Sequence, residues 1–87
     1  YSNTAGDTIY GGDGNDTIKS SNSADFIDGG NNDDYINGYD GNDTIFGGAG
    51  NDSIRADDVD ADNSDDLVYG GSGNDTIYGL SGNDTLV

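Results

Sequence analysis

Residues 11–19 read GGDGNDTIK, and nearly the same nine letters return as GGAGNDSIR at 47–55 and GGSGNDTIY at 70–78. Each copy carries three glycines, an aspartate in sixth place and one branched aliphatic in eighth place. The first six residues suit a turn, because glycine tolerates positive φ and lets backbones approach closely. The last three suit extended chain, where β-branched residues are favoured and alternate side chains face opposite ways. One aliphatic per copy therefore points inward, and its two neighbours point out.

The spacing runs through the whole chain. Branched aliphatics stand nine apart at Ile9, Ile18, Ile27, Ile36, Ile45 and Ile54; after one step of fourteen, Val68, Ile77 and Leu86 resume the nine. Two residues before each stands an aspartate: Asp7, Asp16, Asp25, Asp34, Asp43, Asp52, Asp66, Asp75 and Asp84. The five extra residues fall between Ala56 and Asp62, so 56–62 reads as an insertion in one turn. A fixed period of this kind is the mark of a solenoid. The expectation is an all-β chain of about nine half-coils forming a single module over residues 1–87.

Composition agrees. The net charge of −16 comes from eighteen acids, all Asp, against two bases, and there are sixteen glycines and eleven asparagines. These residues favour turns over helix, and no stretch shows helical apolar spacing. Low hydrophobicity with high charge is also the signature of disorder, but disorder gives no reason for nine repeats in register. With no Cys and no His, disulfides, thiol chemistry, nucleophile–histidine triads and His-bearing metal sites are excluded. No apolar run reaches the roughly 18 residues of a membrane span, and no signal peptide is visible. So acidic a chain repels nucleic acid and anionic membranes and attracts cations. Beginning at Tyr1 rather than Met, it reads as a piece of a longer protein.

The pattern G-G-x-G-x-D-x-U-x, with U a large aliphatic, resembles the repeat-in-toxin (RTX) nonapeptide, and the resemblance covers residues 2–87. Residues 11–16, 47–52 and 70–75 match its turn fully. Residues 29–34 (GGNNDD), 38–43 (GYDGND) and 79–84 (GLSGND) each miss one glycine, and 2–7, 20–25 and 61–66 keep little beyond the Asp. The resemblance implies a right-handed parallel β-roll in which two nonapeptides make one coil, so turns eighteen residues apart stack. One side would hold turns 11–16, 29–34, 47–52 and 70–75. The other would hold 2–7, 20–25, 38–43, 61–66 and 79–84, together with the insertion.

The resemblance further implies calcium between successive turns, held by the Asp side chains and by main-chain carbonyls. Calcium takes six to eight oxygens in flexible geometry. On the first side the implied ligands are Gly11, Gly12, Asp13, Gly14 and Asp16; Gly29, Gly30, Asn31, Asn32 and Asp34; Gly47, Gly48, Ala49, Gly50 and Asp52; and Gly70, Gly71, Ser72, Gly73 and Asp75. On the second they are Asp7, Asp25, Gly38, Asp40, Asp43, Asp66, Gly79, Ser81 and Asp84, in a patchier ladder. Asn32 replaces a glycine, and Asn visits left-handed φ more readily than most residues. Four stacked turns enclose three gaps and five enclose four, so up to seven ions would bring +14 against −16.

A file of nine aliphatics, each worth roughly 1.5–3 kcal/mol on burial, is a thin core for this much charge. The expected function is a non-catalytic calcium-binding folding module, disordered without the ion. Extracellular calcium modules bind at about 10⁻⁴–10⁻³ M, well above cytosolic levels. The family resemblance accordingly implies type I secretion of an unfolded bacterial chain that folds outside the cell, with neighbouring domains of the parent as partners. An alternative is a polysaccharide-binding module, since the resemblance extends to alginate epimerase repeats. Lys19, Tyr35, Arg55 and Tyr78 would form its glycan face.

Other motifs carry less. Asp58, Asp60 and Asp62 stand like the start of an EF-hand loop, but Asn63 and Tyr69 occupy the places of its glycine and glutamate. Five N-x-[ST] sequences, at Asn15, Asn42, Asn51, Asn74 and Asn83, lie inside the turns, where a glycan would interfere. Paired carboxylates neutralised by calcium make poor glycosidase acids and bases. An ice-binding roll would need Thr at mid-turn, where Asp13, Asn31, Asp40, Ala49, Ser72 and Ser81 stand.

Overall fold

A computed structural model describes residues 6, 8–20, 23–56, 64–79 and 84–87. Each Thr-Ile-x unit forms a short strand: β1 (Thr8–Tyr10), β2 (Thr17–Lys19), β3 (Phe26–Asp28), β4 (Tyr35–Asn37), β5 (Thr44–Phe46), β6 (Ser53–Arg55), β7 (Leu67–Tyr69), β8 (Thr76–Tyr78) and β9 (Thr85–Leu86). Every second strand pairs in parallel, giving one sheet in the order β1-β3-β5-β7-β9 and another in the order β2-β4-β6-β8. The chain thus winds as a β-solenoid of about four turns, as its period requires. No helix occurs among the described residues, and so none long and apolar enough to cross a membrane.

Register follows the aliphatics. Ile9, Ile27, Ile45, Val68 and Leu86 stack in one sheet, and Ile18, Ile36, Ile54 and Ile77 in the other. A slip of one residue would turn this file outward, so burial fixes the pairing. Ile27, Ile36, Ile45, Ile54 and Val68 are fully buried, whereas Ile9 and Ile77 are half-buried and Leu86 is 47 % exposed. Within residues 1–87 the expected file of nine is therefore sealed in its middle and less covered toward Ile9, Ile77 and Leu86. Ala56, which no aliphatic pattern marked, joins the core as a buried methyl.

The turns reverse the chain between sheets through glycines of positive φ, among them Gly12 at 88° and Gly48 at 94°. The same second place is held by Tyr39 at φ 66°, a conformation that costs a non-glycine residue roughly 1–2 kcal/mol. Its N–H is tied to Asn37 Oδ1 at 3.1 Å. Where each strand ends, the next N–H bonds to the adjacent coil. Gly11, Gly29 and Gly47 donate to the carbonyls of Asp28, Phe46 and Tyr69, each at 2.8 Å.

Ala56 donates to the Tyr78 carbonyl at 2.9 Å, so it takes the first place of its turn. Ser64 accepts from the Gly41 N–H with its hydroxyl, in step with the fourth place. The rest of the expected 56–62 insertion lies outside the described residues.

Outward strand positions differ between the sheets. On the five-stranded sheet Tyr10, Phe26, Phe46 and Tyr69 form a ladder, with ring centroids 6.2, 5.5 and 4.9 Å apart and the last pair stacked. On the other sheet Lys19, Asn37, Arg55 and Tyr78 share one row, and Tyr35 stands in the row beside it. Asn37, expected to face outward, is buried between Lys19 and Arg55 in that row, its Oδ1 spent on the Tyr39 N–H.

Truncation of the sealed part of the file should cost far more than truncation at its end. Ile45→Ala is expected to lose about 2–5 kcal/mol and Leu86→Ala only a small fraction of that, compared by denaturant unfolding.

Candidate metal centre

Each turn has six places, and the sixth belongs to the aspartate. On the first side, the Asp16 N–H donates to Asp34 Oδ1 at 2.8 Å, Asp34 to Asp52 Oδ1 at 2.9 Å, and Asp52 to Asp75 Oδ1 at 2.9 Å. On the second side, Asp25 donates to Asp43 Oδ1 at 2.8 Å, Asp43 to Asp66 at 2.7 Å, and Asp66 to Asp84 at 2.9 Å. One carboxylate oxygen thus stitches each turn to the one before it. The glycine-free turn 20–25 keeps this register through Asp25.

The other oxygen is left over. Oδ2 of Asp16, Asp34 and Asp52 is buried and accepts no hydrogen bond. An uncompensated buried polar atom is costly, and an ionised one much more so. Its surroundings say what is missing. The point that a Cβ on Gly11 would occupy lies 2.8 Å from Asp16 Oδ2 and 2.6 Å from the Gly29 carbonyl oxygen. The same point at Gly29 lies 2.7 Å from both Asp34 Oδ2 and the Gly47 carbonyl; at Gly47 it lies 2.6 Å from Asp52 Oδ2 and 2.7 Å from the Gly70 carbonyl. Each first-place glycine thus leaves a cradle between two turns that a side chain would fill, edged by a bare carboxylate oxygen, a carbonyl and the Cδ1 of the repeat's own isoleucine. On the second side Gly38 makes an equal cradle, 2.6 Å from Asp43 Oδ2 and 2.5 Å from the Ala56 carbonyl.

Carbonyls of the second and fourth places also face the neighbouring coil. A Cβ on Gly30 would strike the Gly12 carbonyl, one on Gly48 that of Gly30, and one on Gly73 that of Gly50. No three carboxylates converge among the described residues, so further oxygens for a cation would have to be main-chain carbonyls; those of Gly12 and Gly30 already accept the N–H of Asn31 and Ala49 at 3.2 and 3.0 Å. Hard oxygens of this kind suit calcium rather than softer metals.

Electrostatics points the same way. Burial, above all, pushes the Asp52 carboxyl from its ordinary 3.8 up to about 6; the hydrogen bond from the Asp34 N–H pulls it down, and the charges of Asp75, Asp34 and Asp33 push it up. Asp34 is raised by burial first, with Asp16, Asp33 and Asp28 adding to it. A cation in the cradle would offset both causes.

The RTX calcium-binding nonapeptide repeat model (4 copies) matches residues 1–36, 20–54 and 53–86. The chain belongs to this RTX repeat family. The RTX repeat is a structural calcium-binding unit and not itself a catalyst. No curated protein and no solved structure matched.

The remaining ligands implied by the RTX resemblance are placed as follows. Asp13 and Asn31, at the third place, are exposed and bonded to each other, Asn31 Nδ2 to Asp13 Oδ1 at 3.0 Å, while Ala49 and Ser72 form a parallel bridge. Asn32 adopts φ 77°, and its Oδ1 accepts the Gly14 N–H at 3.1 Å. Asp40 is half-buried, and Gly79 lies beside Asp84 Oδ2. Asp7 and Ser81 lie outside the described residues.

A second ladder, at the fifth place, was missed from sequence. The Asp33 N–H donates to Asn15 Oδ1 at 2.9 Å, Asn51 to Asp33 Oδ1 at 2.7 Å, Asn74 to Asn51 Oδ1 at 2.8 Å, and Asp65 to Asn42 Oδ1 at 2.8 Å. It runs opposite to the aspartate ladder, so neighbouring N–H groups of one turn reach to the two flanking coils. The recurrence of Asn or Asp before the final Asp was the available signal. It also gives Asn15, Asn42 and Asn51 a use that competes with glycosylation.

The sign of the pH effect follows from Asp52. Its folded pKa exceeds the unfolded one, so protonation favours the metal-free roll, and that gain is lost as pH rises through about 6. In excess chelator, β-sheet circular dichroism should grow as pH falls from about 7.5 to about 5, and Asp52→Asn should flatten the growth. Calcium binding should weaken over the same range, because protons compete for the same oxygen.

Proposed function

We propose that this RTX segment is a calcium-folded structural module of a secreted bacterial protein. The bare, buried Oδ2 atoms of Asp16, Asp34 and Asp52, each edging a glycine cradle, carry the reading. In this reading the ions lie between stacked turns. They take the sixth-place aspartates and the carbonyls of the first four places, with Gly11–Gly14 and their counterparts on the first side. On the second side the set is Asp7, Asp25, Gly38, Asp40, Asp43, Asp66, Gly79, Ser81 and Asp84. Bound calcium supplies positive charge where the sequence supplies no second layer of apolar side chains. A right-handed winding is expected, since parallel strands joined by crossovers take that hand.

Without calcium, the charge of −16 and the uncompensated carboxylates work against the coil, and the chain is proposed to be disordered. Cytosolic calcium would leave it so, which suits passage through a type I exporter; folding then follows outside the cell. Neighbouring domains of the parent chain are its proposed partners.

Circular dichroism and calorimetric titration test this. In chelator near neutral pH the β signal should be lost. Millimolar calcium should restore it cooperatively, and magnesium, which demands a tight octahedron, should not. Gly29→Ala, whose methyl would sit in a cradle without needing positive φ, should bind one ion fewer. A full β signal in chelator would refute the reading.

A second reading is an acidic-polysaccharide module using Lys19, Tyr35, Arg55 and Tyr78. What favours it is that Lys19, Arg55 and Tyr78 line one row, and that Arg55 Nε is buried with no hydrogen-bond partner among the described residues. Titration of the calcium-loaded chain should show alginate binding, and none of a neutral glycan. Lys19→Ala and Arg55→Ala should each weaken it; equal binding by the double variant would end this reading.

A further inference from the structure

The seven gaps between stacked turns are not equivalent, because the first-place residue decides whether a cradle exists. Glycine holds that place in all four turns of the first side, but on the second side the residues are Ser2, Ser20, Gly38, Ala56 and Gly79. Ser20 is buried at 2 % exposure, and its hydroxyl donates to the Gly38 carbonyl oxygen at 2.5 Å. That carbonyl corresponds to the Gly29 carbonyl beside Gly11, one of the two oxygens that edge a cradle. Ser20 therefore fills the space left open at Gly11 and uses the same oxygen that an ion would need. Ala56, fully buried, puts a methyl in the first place of its own turn.

We propose that Ser20 replaces an ion: its hydroxyl closes the gap between turns 20–25 and 38–43 with a hydrogen bond, and the Ala56 methyl closes the gap that follows its turn. This rests on the calcium reading above and narrows it. Calcium then fills the gaps led by Gly11, Gly29, Gly47 and Gly38, four in all, three of them on one side. Ser2 extends the same substitution, by sequence, to the first gap of the second side.

The substitution is chemically balanced. A hydroxyl offers the carbonyl a donor and brings no charge, so in the wound roll the rung it makes needs no ion of its own. A methyl offers nothing but closes the space, so the Asp–Asp bond and the strand pairing must hold that rung. In the wound roll the second side thus has rungs that take no ion, while every rung of the first side has a cradle to fill. The inserted residues enter on the side where fewer ions depend on turn geometry.

Native mass spectrometry of the 87-residue chain at rising calcium reads the count directly. The unmodified chain should saturate at four ions. Ser20→Gly and Ala56→Gly should each saturate at five, and the double variant at six. Ser20→Ala, which removes the hydrogen bond but keeps the space filled, should stay at four. Saturation of the unmodified chain at six or seven would overturn the proposal, as would glycine variants that gain no ion while calcium still binds. A chain that binds no calcium would sink the calcium reading itself and this proposal with it. Should Ser20→Gly not fold, the count of the unmodified chain and of Ala56→Gly still decides.

Discussion

The structure depends on a division of labour within one carboxylate. At Asp34 and Asp52, Oδ1 accepts the N–H of the aspartate one coil earlier, while Oδ2 lies buried beside a glycine with no donor. The first oxygen sets the register of the stack, and the second demands a cation. Glutamate could not serve both, because its extra methylene would carry the carboxylate past the backbone it must cap. That gives a physical reason for Asp rather than Glu at all nine sixth places.

The aliphatic file explains why such a device is needed. One aliphatic per half-coil gives little apolar area for the backbone it must order. Part of the deficit is met outside the core. The rings of Tyr10, Phe26, Phe46 and Tyr69 tie successive coils of the five-stranded sheet together across its outer surface, each contact worth roughly 0.5–1.5 kcal/mol beyond area burial. The four-stranded sheet has no such ladder, and its outer row holds the only two cations of the chain, Lys19 and Arg55.

Much of this was legible in the letters because the repeat is strict. A period of nine with one inward aliphatic leaves a single way to pair strands, and the register from Ile9 to Leu86 was readable residue by residue. The first-place glycines of the first-side turns were legible too, since all four turns keep them. The fifth-place ladder was not, because Asn and Asp there look like ordinary turn residues until another coil is laid against them. Ser20 was illegible for a related reason. A serine in a glycine's place reads as decay of the motif, and only the Gly38 carbonyl beside its hydroxyl shows that it bonds across the gap. The buried Asn37 departs from the repeat because its neighbours in the row and its bond to the Tyr39 N–H, not periodicity, decide its exposure.

The same carboxylate also dictates how the ions must communicate. Asp34 reaches back with Oδ1 to the Asp16 N–H, and its Oδ2 edges the next cradle together with the Gly47 carbonyl. It belongs to two gaps at once, as does Asp52. In a solenoid each coil touches only its neighbours, so stability is a sum of coil and interface terms. An ion that fixes the Asp34 carboxylate in one gap therefore orients the oxygen that stacks the coil before it, and the next ion meets turns already in place. Linkage makes the effect mutual. Cooperative binding along the first side then needs no change of shape beyond the winding itself. In the proposed arrangement, Ser20 and Ala56 interrupt the file of cradles on the second side, no ions couple across those gaps, and cooperativity would be a property of one edge of the roll rather than of the whole.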